Sequence, residues 1–160
     1  MRSRQVISLM LIICFSNTIH AQEKPEMITK IERIFREKEP AWKVERVYVK
    51  NASDPFHQSI VFRSGGNQAA VDVSIWSREK DAQDVFAGES IAFGNTMGKR
   101  MVKSRLVNLG DESHMWTNRG STAWPTIKFR KGNVNVTVFA PSVAIAKRFA
   151  KYVFEQMAAS

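Results

Sequence analysis

The chain has 160 residues, with 24 Lys and Arg against 15 Asp and Glu, and a formal net charge of +9. That length suits one domain that buries its own core without covalent staples. The single cysteine, Cys14, lies in an apolar N-terminal run. A chain processed after that run has no thiol, which excludes disulfides, a cysteine nucleophile and a thiolate metal site.

Residues 1–21 read as a secretory signal peptide. Arg2 and Arg4 open it, Val6 to Phe15 is nearly continuous apolar sequence, and Ile19-His20-Ala21 places a small residue before a cut that leaves Gln22 first. The run is about ten residues, where a membrane span needs about twenty. Leu11-Ile12-Ile13 lacks the small residue that precedes the cysteine of a bacterial lipobox, which argues against a lipid on Cys14. Residues 22–160 are then expected to form a single domain, periplasmic or secreted. A domain of that kind without disulfides suits a bacterial envelope.

Pro25 fits a first helical turn, and Met27, Ile28, Ile31, Ile34 and Phe35 recur at helical spacing until Glu39-Pro40. Trp42 to Val49 is β-rich and ends at the turn cluster Asn51 to Pro55. Phe56 to Arg63 predicts a second strand and Ser64-Gly65-Gly66-Asn67 its hairpin turn. In the third strand Val71, Val73 and Ile75 share one face with Asp72 and Ser74 opposite, the alternation of a sheet covered on one side. Ser77 can cap a central helix, with Glu79, Asp81 and Asp84 in its early turns and Ala82, Val85, Phe86 and Phe93 on its apolar face. Gly94 and Gly98 bracket its exit.

Met101 to Leu109 reads as a strand, Gly110-Asp111-Glu112 as a turn and His114 to Asn118 as a short strand. Arg119 to Thr122 forms a loop. Trp124 to Arg130 and Val134 to Ala140 make a hairpin about Lys131-Gly132-Asn133. After Pro141-Ser142, the residues Val143, Ala146, Phe149, Ala150, Val153, Phe154 and Met157 fall on one stripe, the clearest amphipathic helix in the chain. The expected fold class is α+β: a predominantly antiparallel sheet with N-terminal, central and C-terminal helices packed on it. No Gly-rich loop joins a strand directly to a helix, which argues against a doubly wound nucleotide fold.

Leu109-Gly110-Asp111-Glu112, followed by Phe129-Arg130-Lys131-Gly132-Asn133-Val134, resembles a pattern in small exported bacterial domains, including extracytoplasmic sensor-type and lipoprotein domains. The resemblance covers roughly the C-terminal third. It implies an exported α+β fold and transfers no catalytic residue.

Two chemistries compete. Asp111, Glu112 and His114 are legitimate ligand types for zinc or manganese, and a metal-assisted hydrolase around them is the alternative reading. Such a site needs further ligands, and Asp111 is equally suited to bonding turn amides. A Ser-His-Asp hydrolase lacks its Gly-x-Ser-x-Gly elbow, and His57 and His114 are the only histidines after the signal. The second chemistry is electrostatic. Lys103 and Arg105 share one face of a strand, as do Lys128 and Arg130, and Trp116 and Trp124 can add stacking surfaces. Were these strands neighbours, they would present a positive plate. The leading expectation is a non-catalytic exported domain without a cofactor, binding an anionic envelope component or a protein partner through Lys103, Arg105, Lys128, Arg130, Trp116 and Trp124. Nucleic acid is not the expected partner, and no membrane span follows the signal.

Overall fold

The computed structural model describes residues 26–50, 55–96, 101–106, 108–118 and 124–158. The signal segment, Asn51 to Asp54, Gly98 and the loop Arg119 to Thr122 lie outside the described residues. Helix α1 (Glu26–Lys38) turns Ile28, Ile31 and Phe35 inward. Glu26 sits in its first turn and Arg36 and Lys38 in its last, the ends that favour those signs. Strands β1 (Lys43–Lys50), β2 (Phe56–Ser64) and β3 (Asn67–Ile75) precede helix α2 (Glu79–Thr96). Then come β4 (Met101–Arg105), β5 (Glu112–Asn118), β6 (Thr126–Lys131), β7 (Val134–Phe139) and helix α3 (Val143–Ala158). The Ser142 hydroxyl caps α3 by accepting the Ile145 N–H at 3.3 Å.

The strands form a seven-stranded sheet in the order β1-β2-β3-β7-β6-β5-β4, with every adjacent pair antiparallel. The class is α+β, with helices in the N-terminal, central and C-terminal positions that the periodicity implies. Some boundaries differ from the sequence reading. Gly94 lies inside α2 rather than at its exit, at the modest cost that a glycine imposes on a helix. The strand expected to run to Leu109 stops at Arg105, because Asn108 and Gly110 take φ of +62° and +73° and turn the chain back into β5. β5 in turn begins at Glu112, two residues earlier than expected.

Side-chain alternation gives the sheet two different faces. One carries Ile60 and Phe62 of β2, Ala69, Val71 and Val73 of β3, Val136 and Val138 of β7, and Ile127 and Phe129 of β6, all buried. Helices α1 and α3 cover it. Phe35 stacks on Phe62 with ring centroids 4.2 Å apart and meets Phe149 edge-on at 4.4 Å, and Trp42 meets Phe149 edge-on at 5.2 Å. Ala146, Phe149, Ala150 and Val153 supply the inner stripe of α3. At the helix ends, the Glu39 carboxylate accepts hydrogen bonds from Arg148 and from the Tyr152 hydroxyl.

The other face is polar, and it is not open to solvent throughout, as a sheet covered on one side would be. Helix α2 lies over β7 and β6 on that side. Asn135 donates from Nδ2 to the Ala82 carbonyl at 2.9 Å, and the α2 carboxylates Glu79 and Glu89 reach Arg130 and Lys128.

Candidate functional site

Register places the polar residues in rows that run across the sheet. One row reads Lys50, His57, Ser74, Asn135, Arg130, Glu112 from β1 to β5. The next reads Tyr48, Ser59, Asp72, Thr137, Lys128, His114, Arg105 from β1 to β4. Alternation turns these rows to the α2 side, and Arg105, the last residue of the edge strand β4, also borders the opposite face. Of the six residues expected to bind a ligand, Arg105, Lys128 and Arg130 fall in these rows, Lys103 pairs with Trp116 in the next, and Trp124 precedes β6.

The expected positive plate does not form. β5 lies between β4 and β6, so the two basic strands are not neighbours. Arg130 is only 5% exposed, and its guanidinium bonds Glu112 and Glu79 at 3.1 Å each and meets Asp111 at 3.2 Å. Lys128 is buried as well, with Nζ 2.7 Å from Glu89. Lys128 and Arg130 do share one sheet face, but α2 rather than solvent lies over it, and its Glu89 and Glu79 neutralise the two cations. Trp116 is fully buried, with Lys103 over its ring at 5.6 Å. Trp124 is 43% exposed at the entry to β6. Lys103 and Arg105 remain exposed on the edge strand β4.

The acidic turn is equally specific. The Asp111 amide donates to the Arg130 carbonyl at 2.7 Å, while its carboxylate accepts the Gly132 amide at 2.7 Å. A Cβ on Gly110 would lie 2.2 Å from the Arg130 carbonyl oxygen. The two short motifs Leu109 to Glu112 and Phe129 to Asn133 are therefore one structural unit, a turn locked onto a hairpin. Glu112 faces Arg130, whereas His114 stacks on Phe86 with centroids 5.7 Å apart and lies 5.6 Å from Trp116. Burial and nearby Lys103 hold its imidazole below the ordinary value of 6.5, against an opposing pull from Glu112. Among the described residues, no group of three His, Cys, Asp or Glu is placed to hold a metal. Asp111, Glu112 and His114 thus do not converge as the hydrolase alternative requires.

A concavity lies on the opposite face. Helix α3 covers β6 and β7, and the step between it and the β4–β5 wing is a groove of about 660 Å³. Leu106, Leu109, Ile127 and Phe154 supply apolar lining, and Arg105, Lys147, Lys151 and Glu155 supply the charges. Lys147 and Lys151 are one turn apart on α3, so both reach the same rim. Lys151 lies 3.8 Å from Glu155, which also meets Lys38 at 3.2 Å. Lys151 and Lys38 thus share the Glu155 carboxylate, and Arg105 and Lys147 border the same apolar lining. Of the residues singled out from sequence, only Arg105 belongs to this groove. Lys147 and Lys151 were legible as the polar side of α3 but carried no sign of what they face.

No family model and no curated protein matches the chain. Among solved structures, it is similar to the crystal structure of a GTP binding regulator from Thermotoga maritima. The match has 12% identity, covers 82% of this chain and 89% of that one, and has a TM-score of 0.47. A likeness of that degree carries no functional argument. The geometry of the groove and of the polar face therefore stands alone. No helix among the described residues is long and apolar enough to cross a membrane.

Proposed function

We propose that this chain is an exported, non-catalytic binding domain of the bacterial cell envelope, and that its groove takes an anionic amphiphile with a single alkyl chain. The observation that carries the reading is the groove between α3 and the β4–β5 wing, where Arg105, Lys147 and Lys151 rim an apolar lining. Its volume of about 660 Å³ lies within the roughly 300–1,000 Å³ of small-molecule sites. Burying alkyl surface contributes about 25 cal/mol per Å², which supplies affinity, while the rim cations select the head group. Export rests on the Arg-flanked apolar run of residues 6–15 and the cut after Ala21, in keeping with the resemblance to exported sensor-type and lipoprotein domains.

Calorimetric titration of the processed domain with dodecanoate, and with dodecanol as the uncharged control, tests the binding reading. Dodecanoate should bind and weaken with added salt, because rim charges are screened within about 8–10 Å at physiological ionic strength. Lys147→Glu combined with Lys151→Glu should abolish the preference for the anion. Equal binding of both compounds, or no binding of either, would refute it and direct attention to a protein partner. Export has its own check: the intact mass of protein recovered from the periplasm or medium should correspond to a chain that starts at Gln22.

A further inference from the structure

The polar face holds a second cavity, of about 200 Å³, in the angle between α2 and strands β2, β3 and β7. Asp72, Ser74, Trp76, Asn135, Glu89 and Lys128 contribute its polar lining, with His57 and Thr137 beside them. The His57 Nδ1 and the Ser74 hydroxyl lie 2.9 Å apart across the β2–β3 ladder and satisfy each other. Lys128 is held by Glu89 at 2.7 Å.

The remaining groups are not satisfied by the protein. Asn135 is 8% exposed, and its Nδ2 donates to the Ala82 carbonyl, which fixes the amide orientation. Its Oδ1 is then a buried acceptor without a partner. The half-buried Asp72 carboxylate has no hydrogen-bond or ion-pair partner among the described residues. The Trp76 indole N–H is buried and also unpartnered. A buried polar group left without a partner costs about 1–3 kcal/mol, so such groups are normally met by water or by a ligand.

We infer that this cavity is a binding site for a small molecule bearing a primary ammonium group. The unmet acceptors, Asp72 and Asn135 Oδ1, sit on neighbouring strands, in adjacent rows of the sheet. Two carboxylates, Asp72 and Glu89, face one ammonium, Lys128, so a cationic donor is favoured over an anion. The volume equals that of roughly six or seven liquid waters at about 30 Å³ each, which limits the occupant to a compact amine. Val85 and Phe139 supply apolar wall for a short alkyl portion. The site is independent of the α3 groove, which lies on the other face of the sheet.

The test is NMR titration of the processed domain with n-butylammonium, n-butyltrimethylammonium, n-butanol and butyrate, following the Trp76 indole resonance. The primary ammonium should bind, and the trimethylated compound, which cannot donate a hydrogen bond, should bind at least tenfold more weakly. Asp72→Asn, nearly isosteric, should reduce the primary amine's affinity at least tenfold. Val85→Trp, which fills the cavity from α2, should abolish binding while the circular dichroism of the domain is retained. Charge reversal of Lys147 and Lys151 should leave amine binding unchanged. Failure of every amine to bind, preferential binding of butyrate, or amine binding indifferent to both Asp72→Asn and Val85→Trp would overturn the assignment.

Discussion

The two faces of the sheet are held by different physics. Against α1 and α3, the interface is apolar and closed by interlocking rings: Phe35 on Phe62, with Phe149 edge-on to Phe35 and to Trp42. Against α2 it is polar, and the helix is fastened by ion pairs to Lys128 and Arg130 and by the Asn135 amide. Apolar burial is non-directional and tolerates approximate fits, whereas a buried polar interface works only when each partner is met. Unmet groups occur on both faces: the Gln58 amide is fully buried without a partner on the apolar one, in register with Val73, while Asn135 Oδ1 and the Trp76 N–H lie on the polar one.

Substitutions should expose that difference in graded order. Phe149→Ala removes a fully buried ring shared by α3, α1 and the Trp42 corner, and should cost about 3–5 kcal/mol. Set against a typical total of about 5–15 kcal/mol, this loss should shift the urea midpoint markedly. An unchanged midpoint and slope would mean that the α3 stripe is not core. Gly110→Ala comes next. The positive φ alone costs a side chain about 1–2 kcal/mol, and the 2.2 Å approach to the Arg130 carbonyl adds to it. Thermal unfolding should show this variant less stable than Gly132→Ala, where φ is +55° but the Cβ meets nothing within 4 Å.

Arg130→Met tests the polar face itself. It strands three carboxylates that share one buried cation, but those carboxylates are 36–66% exposed and recover part of their hydration. Loss of charge-assisted hydrogen bonds of about 1.5–3 kcal/mol each should therefore appear only in part, as roughly 2 kcal/mol. A stabilised Arg130→Met protein would show that the ion network is retained for something other than holding α2.

The smallest expected effect is a pH slope from His114. Its folded imidazole is held below the ordinary 6.5, first by burial and then by Lys103. The unfolded chain then binds the proton more readily, so stability is complete above about pH 6.5. It is lost as pH falls from there toward the depressed folded value. One group cannot exceed about 1.4 kcal/mol per pH unit. His114→Phe, which keeps an aromatic ring against Phe86, should flatten the stability profile between pH 7 and 5. An identical slope in the variant would assign the titration elsewhere.

The fold was legible because period and punctuation report directly on backbone state. The stripe of α3, the Gly65-Gly66 turn and the alternation of β3 each correspond to an observed element. The pairing of His57 with Ser74 was also within reach. Ser64 opposes Asn67 across the two-residue turn, and counting back equally along both strands aligns the pair. What pattern could not supply was strand order and the position of α2. Lys128 and Arg130 alternate as solvent-facing residues do, and only a helix arriving from elsewhere in the chain makes them buried partners of Glu79 and Glu89. The groove was illegible for the same reason. Leu106 and Leu109 come from one end of the sheet and Lys147 and Lys151 from the closing helix, and no local spacing connects them.

The most direct test of the account is photoaffinity mapping with a diazirine-bearing long-chain carboxylate, followed by peptide sequencing of the labelled domain. The account predicts label concentrated in the segment 105–109 and on α3 around Phe154, competed by dodecanoate and lost when Lys147 and Lys151 are reversed to glutamate. Label confined to the α2 side of the sheet, or spread without competition over the surface, would contradict it.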